Sequence, residues 1–239
     1  MIKLFLTAAC ICANVLLIPI SQAATNNKCA VLLHGLGRTH LSMSSLEKLL
    51  NHEGFYVVSH TYPSTQKDID TLALEYIPPM LDACKAKGKT EIVIITHSLG
   101  GIVAQAYLTQ HDIPELTHLI MLSPPNHGSP IVDKLHRYWL FQHLLGPAFQ
   151  ALKTQGLPYT HPAEKSYRIC ILAGSKPQPL LSRYFFGNMP NDGKVSITST
   201  YLDSADEFVV YPVNHTFIMN HVLVHEKIRS FLRTRSTIK

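Results

Sequence analysis

Hydrophobic positions along the chain fall into two alternating patterns. Short unbroken apolar runs read as strands: Cys29–His34, Phe55–Ser59, Glu91–Ile95, Leu119–Leu122, Arg168–Ala173 and Glu207–Tyr211. Between them, apolar residues recur every three or four positions, the helical period. Leu46, Leu49 and Leu50 mark a helix over about 41–52, closed by Gly54. Ile69, Leu72, Tyr76, Met80 and Leu81 mark another over about 68–87, which Pro78-Pro79 must kink. Ile102, Val103, Ala106 and Tyr107 mark a third over 99–111, and a last helix is expected from about Thr216 to Leu232. Continuous apolar strands separated by helices predict an α/β fold. Its sheet is mostly parallel, of about six strands, and covered by helices on both faces.

The rhythm breaks between Pro124 and Lys165. A structureless loop of that length is rare in a compact domain. Two short helices above the carboxyl edge of the sheet fit better, as an insertion spanning about 126–165. Trp139, Phe141 and Leu144 there, with Phe185 and Phe186 in the loop from Ser175 to Pro190, are candidates to wall an apolar pocket. The plainer alternative is that they extend the core.

Glu91-Ile92-Val93-Ile94-Ile95-Thr96-His97-Ser98-Leu99-Gly100-Gly101 carries the candidate chemistry. An apolar strand stops, one serine follows, and two glycines open a helix. Such a turn lifts a hydroxyl off the end of the sheet beside free backbone N–H groups. It resembles the nucleophile elbow of the α/β-hydrolases, G-x-S-x-G, with Thr96 where the first glycine normally stands. The turn is crowded at that point, so Thr96 implies a relaxed turn or a small neighbour in compensation. The plainer alternative is a capped strand–turn–helix.

A serine hydroxyl needs a base, and the base needs an orienting acid. In this fold the order is serine, acid, histidine, each beyond a strand's carboxyl end. Of fourteen histidines, His215 occupies that place, after the last strand and before the last helix. His127 is its rival. Asp192, in Asn191-Asp192-Gly193, is the candidate acid, although an Asp-Gly pair is often only a turn. Asp203 and Asp206 are alternatives, and Asp206 abuts the amino end of the last strand, the wrong edge. The N–H groups of Leu99 and of Leu36, in Leu33-His34-Gly35-Leu36-Gly37-Arg38, are candidates to hold an oxyanion.

Bulk properties narrow the setting. The chain has 239 residues, 46% of them apolar and 15% charged, which suits one α/β domain over 24–239 and argues against disorder. The net charge of +5 comes from scattered residues, so no nucleic-acid stripe forms. Lys3, the apolar run Leu4 to Ile20 and the small residues of Ser21-Gln22-Ala23 read as a signal peptide, 1–23, and hence a periplasmic or secreted protein. An uncleaved N-terminal anchor is the alternative. Cys29 opens a strand and Cys84 closes a helix that runs back to the same edge, so these two are expected to pair, leaving Cys170 as a buried thiol. No histidine or cysteine spacing resembles a metal-ligand set.

Together VLLHGLGR, THSLGG, PPNHGS and NDGKV followed by PVNHTF resemble bacterial exported lipase and esterase members of the α/β-hydrolase superfamily. The resemblance spans Cys29 to about Leu232. It implies a serine hydrolase acting on carboxylic esters without a cofactor, with Ser98 as nucleophile, Asp192 as acid and His215 as base. Cysteines at Cys29 and Cys84 are also familiar from exported relatives. The expected partner is an acyl ester or lipid, met by a monomer that touches a membrane or lipid interface at most transiently. An acyltransferase or a deacylase of phospholipid or cell-envelope lipid would use the same serine, and a noncatalytic binding module is the reading from a different class.

Overall fold

The structure, a computed structural model, describes residues 26–154, 157–159, 165–177 and 179–234. The segment read as a signal peptide lies outside them. Among the described residues no helix is long and apolar enough to cross a membrane.

Six strands form one sheet: β1 (Lys28–Leu33), β2 (Tyr56–Ser59), β3 (Glu91–His97), β4 (Leu116–Leu122), β5 (Arg168–Gly174) and β6 (Glu207–Tyr211). Their order is β2-β1-β3-β4-β5-β6 and every pairing is parallel. All carboxyl ends therefore lie on one edge, where the loops that carry function emerge.

The central strands β1, β3, β4 and β5 are largely apolar because each feeds two cores. In β1, Cys29, Val31 and Leu33 face one side, while Ala30 and Leu32 face the other. The first face is covered by α2 (Ile69–Ala86) and α3 (Leu99–Gln110), and the second by α1 (Ser44–His52) and α8 (Val222–Leu232). The Asp68 carboxylate caps α2 by accepting from the Thr71 N–H at 2.7 Å, and the helix runs on through Pro78 and Pro79. Cys29 and Cys84 form a disulfide, with Cα atoms 5.8 Å apart, and Cys170 is a buried free thiol. Closing a loop of 55 residues restricts the unfolded chain by about 4 kcal/mol on the chain-entropy account.

The interval after β4 holds α4 (Pro130–Leu135) and α5 (Trp139–Ala151). A further helix, α6 (Pro179–Phe186), and a single turn, α7 (Ile197–Thr200), follow β5. The last helix starts later than its periodicity suggested. Residues from Thr216 form a turn and a short 3-10 helix, Ile218–Asn220, before α8 begins at Val222.

Candidate active site

Ser98 joins β3 to α3 with φ 53° and ψ −123°. A non-glycine residue at positive φ costs of order 1–3 kcal/mol and needs its surroundings to hold it. Two backbone bonds do so: the Ser98 N–H donates to the Leu122 carbonyl, and the Gly101 N–H donates to the Ser98 carbonyl, each at 2.9 Å. The start of α3 also lies hard against the end of β1. A Cβ on Gly100 would sit 2.5 Å from the Leu33 carbonyl oxygen. The crowding raised by Thr96 is met by Gly101, where a Cβ would stand 3.2 Å from the buried Thr96 hydroxyl.

Asp192 and His215 come from loops after β5 and β6 and meet beside this turn. His215 Nδ1 lies 2.8 Å from Asp192 Oδ2, with both side chains almost wholly buried. Ionised, the carboxylate only accepts, so Nδ1–H donates and Nε2 is left unengaged by the acid. The other carboxylate oxygen accepts from the Lys194 N–H at 2.9 Å and the Val195 N–H at 2.8 Å. Asp192 is thus both the turn its Asp-Gly sequence suggests and the partner of His215. Burial pushes its pKa up. The His215 ring, the backbone donors and the Ser123 hydroxyl outweigh that, and the carboxyl titrates below its ordinary value. The two loops approach closely because β5 ends in Gly174, where a Cβ would lie 2.8 Å from that of Asp192.

Two further groups hold this arrangement, and periodicity had flagged neither. His97 Nε2–H donates to the His215 carbonyl at 3.0 Å, and the two rings lie 4.8 Å apart. Burial, then the nearby His215, holds the His97 pKa well below the ordinary histidine value, so it stays neutral. Ser123, at φ 45°, donates to the Asp192 carboxylate and accepts from the Gly174 N–H at 3.3 Å. Its only sequence signal is a polar residue between an apolar strand and Pro124-Pro125.

The loop after β1 forms the opposite wall. The His34 ring stacks on Tyr62 at 3.9 Å and accepts from the Tyr62 N–H through Nε2 at 3.1 Å, while Nδ1–H donates to the Gly35 carbonyl at 2.8 Å. Among the described residues no acceptor takes the Leu36 N–H. The Leu99 N–H, at the first position of α3, has no partner within the helix.

Leu36, Ser98 and His215 line one cavity of about 480 Å³. Its remaining walls are largely apolar, supplied by Val132, Leu135, Phe141, Leu145, Phe149 and Phe185. Of the other pocket candidates, Trp139 is 74% exposed and Leu144 59% exposed, both turned to solvent, because α5 offers the cavity only its inner face. Phe186 is buried but lies away from the cavity wall. His127 is exposed, and the Asp206 carboxylate accepts from the Ile169 N–H at the amino end of β5, far from the rim. Among the described residues no cluster of His, Cys, Asp and Glu could hold a metal ion.

Residues 30–217 match the model of the alpha/beta hydrolase family. The chain belongs to the α/β-hydrolase family. A search of curated protein sequences finds no match. Solved structures with the same hydrolase fold include the mature lipase BlEst2 of Bacillus licheniformis, 21% identical, with a TM-score of 0.70 over 85% of this chain and 91% of that one. The phospholipase PlaB of Legionella pneumophila is 18% identical, with a TM-score of 0.63 over 87% of this chain and 60% of that one. A metagenomic carboxyl esterase, MGS0156, is 16% identical, with a TM-score of 0.60 over 84% and 70%. Identities this low carry the fold and leave the substrate open.

Proposed function

We propose that this α/β-hydrolase is an exported, serine-dependent carboxylic ester hydrolase. One observation carries the reading: a serine held at positive φ opens onto an apolar cavity that it shares with an imidazole already bound, at 2.8 Å, to a buried carboxylate. Ser98 attacks the acyl carbonyl while His215 takes its proton and later passes it to the leaving alcohol. Asp192 keeps the imidazole in the tautomer whose Nε2 can accept. The Leu36 and Leu99 N–H groups hold the oxyanion, a contribution of about 3–4 kcal/mol for one such donor. Water then releases the acid from the acyl-enzyme. The apolar walls supply the acyl side of the site, and no metal or cofactor enters the scheme. The lipase, phospholipase and esterase among the similar structures support an ester substrate. The disulfide supports export to an oxidising compartment.

Ser98→Ala in purified protein is expected to lower turnover of short and long p-nitrophenyl esters by about 10⁴-fold or more and to abolish labelling by a fluorophosphonate. Undiminished turnover, or labelling elsewhere, rejects the assignment.

A further inference from the structure

The cavity walls carry two full positive charges and no carboxylate among the lining residues. Arg38 follows the loop that bears Leu36, and Lys194 follows Asp192, so they reach the cavity from two different loops of the rim. Arg38 is half-buried and Lys194 keeps solvent access. Among the described residues neither side chain has a hydrogen bond or an ion pair, although six ion pairs of lysine or arginine form elsewhere. Asp192, the acid whose charge acts on Lys194, is already taken by His215, Ser123 and two backbone N–H groups.

Unpaired like charges are not held together over an apolar cavity without a cost. Partial burial, with the Arg38 guanidinium adding to it, lowers the Lys194 pKa against the pull of Asp192. An anion between the two would remove that repulsion. Carboxylate and phosphate oxygens match a guanidinium and an ammonium at charge-assisted hydrogen-bond strength. The rest of the lining is largely apolar, so the acyl chain would take those walls and the anion the two cations, on opposite sides of the scissile ester.

We infer that Arg38 and Lys194 form a subsite for an anionic group on the alcohol side of the substrate, making the preferred substrate an acyl ester whose leaving alcohol bears a phosphate or a carboxylate. The inference rests on the reading of Ser98 as the nucleophile. It adds to that reading a substrate charge and the two residues that select it.

Octanoyl monoesters of glycerol phosphate, glyceric acid and glycerol differ only in the charge of the alcohol. The purified protein is expected to show a kcat/KM about tenfold or more higher for at least one anionic ester than for the neutral one. That advantage should shrink as salt rises, because a half-exposed pair is screened. Whichever anionic ester leads names the group recognised. Arg38→Gln combined with Lys194→Gln should reduce the anionic-to-neutral ratio about tenfold, and Lys194→Glu should reverse the preference. Equal rates on all three esters overturn the subsite. So does an equal loss on charged and neutral esters in the double variant, which would mean that the cations act on the oxyanion. The salt series on unaltered protein keeps the test decisive if a variant fails to fold. If no ester is cleaved, or Ser98→Ala cleaves them all, the hydrolase reading itself fails; that outcome is distinct from a missing charge preference.

Discussion

At the rim of the sheet, Ser98, Asp192 and His215 sit where backbone and polar contacts over-determine them. In the roof formed by α4, α5 and α6, the side chains answer to looser demands. Tyr138, Trp139, Leu140, Leu144 and Tyr184 point into solvent, and α5 is interrupted at Gly146, whose φ of 72° and ψ of −171° are not helical. Buried polar side chains join the two regions at few points: the Ser129 hydroxyl at the start of α4 donates to the Lys194 carbonyl at 2.8 Å, and the Ser182 hydroxyl of α6 donates to Asn191 Oδ1 at 2.8 Å. On the proposed reading, the difference separates two tasks. Bond-making needs atoms fixed to a fraction of an ångström, and close-packed backbone supplies that. Accepting an acyl chain needs only an apolar wall of about the right size, which tolerates variation.

If the rim carries the chemistry, its most severe chemical lesion leaves the structure standing. Asp192→Asn keeps the shape but presents an amide to His215 Nδ1, which favours the wrong tautomer. The expected loss in kcat is about 10⁴-fold, with little change in KM. A stopped assay on short esters checks it, and a loss below tenfold would place the orienting acid elsewhere.

Gly100→Ala tests the rim's packing directly. Its Cβ would enter the space of the Leu33 and His34 carbonyl oxygens, 2.5 and 2.8 Å away. Neither backbone atom can yield cheaply, so about 3 kcal/mol of stability should go. In a domain this size that lowers Tm by about 6–12 °C in a thermal scan. A Tm within 2 °C of the parent, on the order of the shift for less than 1 kcal/mol, would show that the elbow relaxes freely.

Three buried histidines make the fold sensitive to mild acid. Burial depresses the pKa of His34, His97 and His118, and His97 most strongly. The unfolded chain takes up protons near 6.5, the ordinary value, while the folded chain resists until lower pH. Stability should therefore be complete above 6.5 and fall as pH drops below it, well before the carboxylates titrate. Urea midpoints measured from pH 8 to 5 would trace the decline. His97→Gln, which can still donate to the His215 carbonyl, should remove the largest share of the slope. An unchanged slope in that variant would mean that His97 is charged in the folded protein.

Legibility in the sequence follows the same division. The four central strands could be read because parallel strands buried on both faces are largely apolar, and the edge strands β2 and β6 because their short runs are β-branched and aromatic. Their ends were less plain. β4 begins at Leu116, three residues before its apolar run, because Thr117 and His118 find partners there: His118 donates to the Thr234 carbonyl at 2.9 Å. The elbow was readable because a strand, a serine and paired glycines are local. Ser123, His97, Arg38 and Lys194 were not, since what they do depends on loops that meet only after folding. In the roof, α4 and α5 were foreseen as helices, whereas α6 occupies a segment read as a loop; the inward and outward faces of α5 were not legible, because Trp139 and Phe141 are both large, apolar and two positions apart.

The smallest expected effect lies at that same pair. Trp139 is 74% exposed, whereas Phe141 lines the cavity. Removing an indole that water already surrounds recovers little hydrophobic free energy, so Trp139→Ser should change stability by no more than about 0.5 kcal/mol. Turnover of a soluble short ester should be unaltered, since the ring lies outside the cavity wall. Phe141→Ser gives the internal contrast: it puts a polar group in the apolar wall and should lower kcat/KM for long acyl chains more than for short ones. Chain-length profiles of the two variants side by side make the measurement. If Trp139→Ser alters the profile as much as Phe141→Ser does, the outer face of α5 takes part in gathering substrate, and the roof is more than a wall.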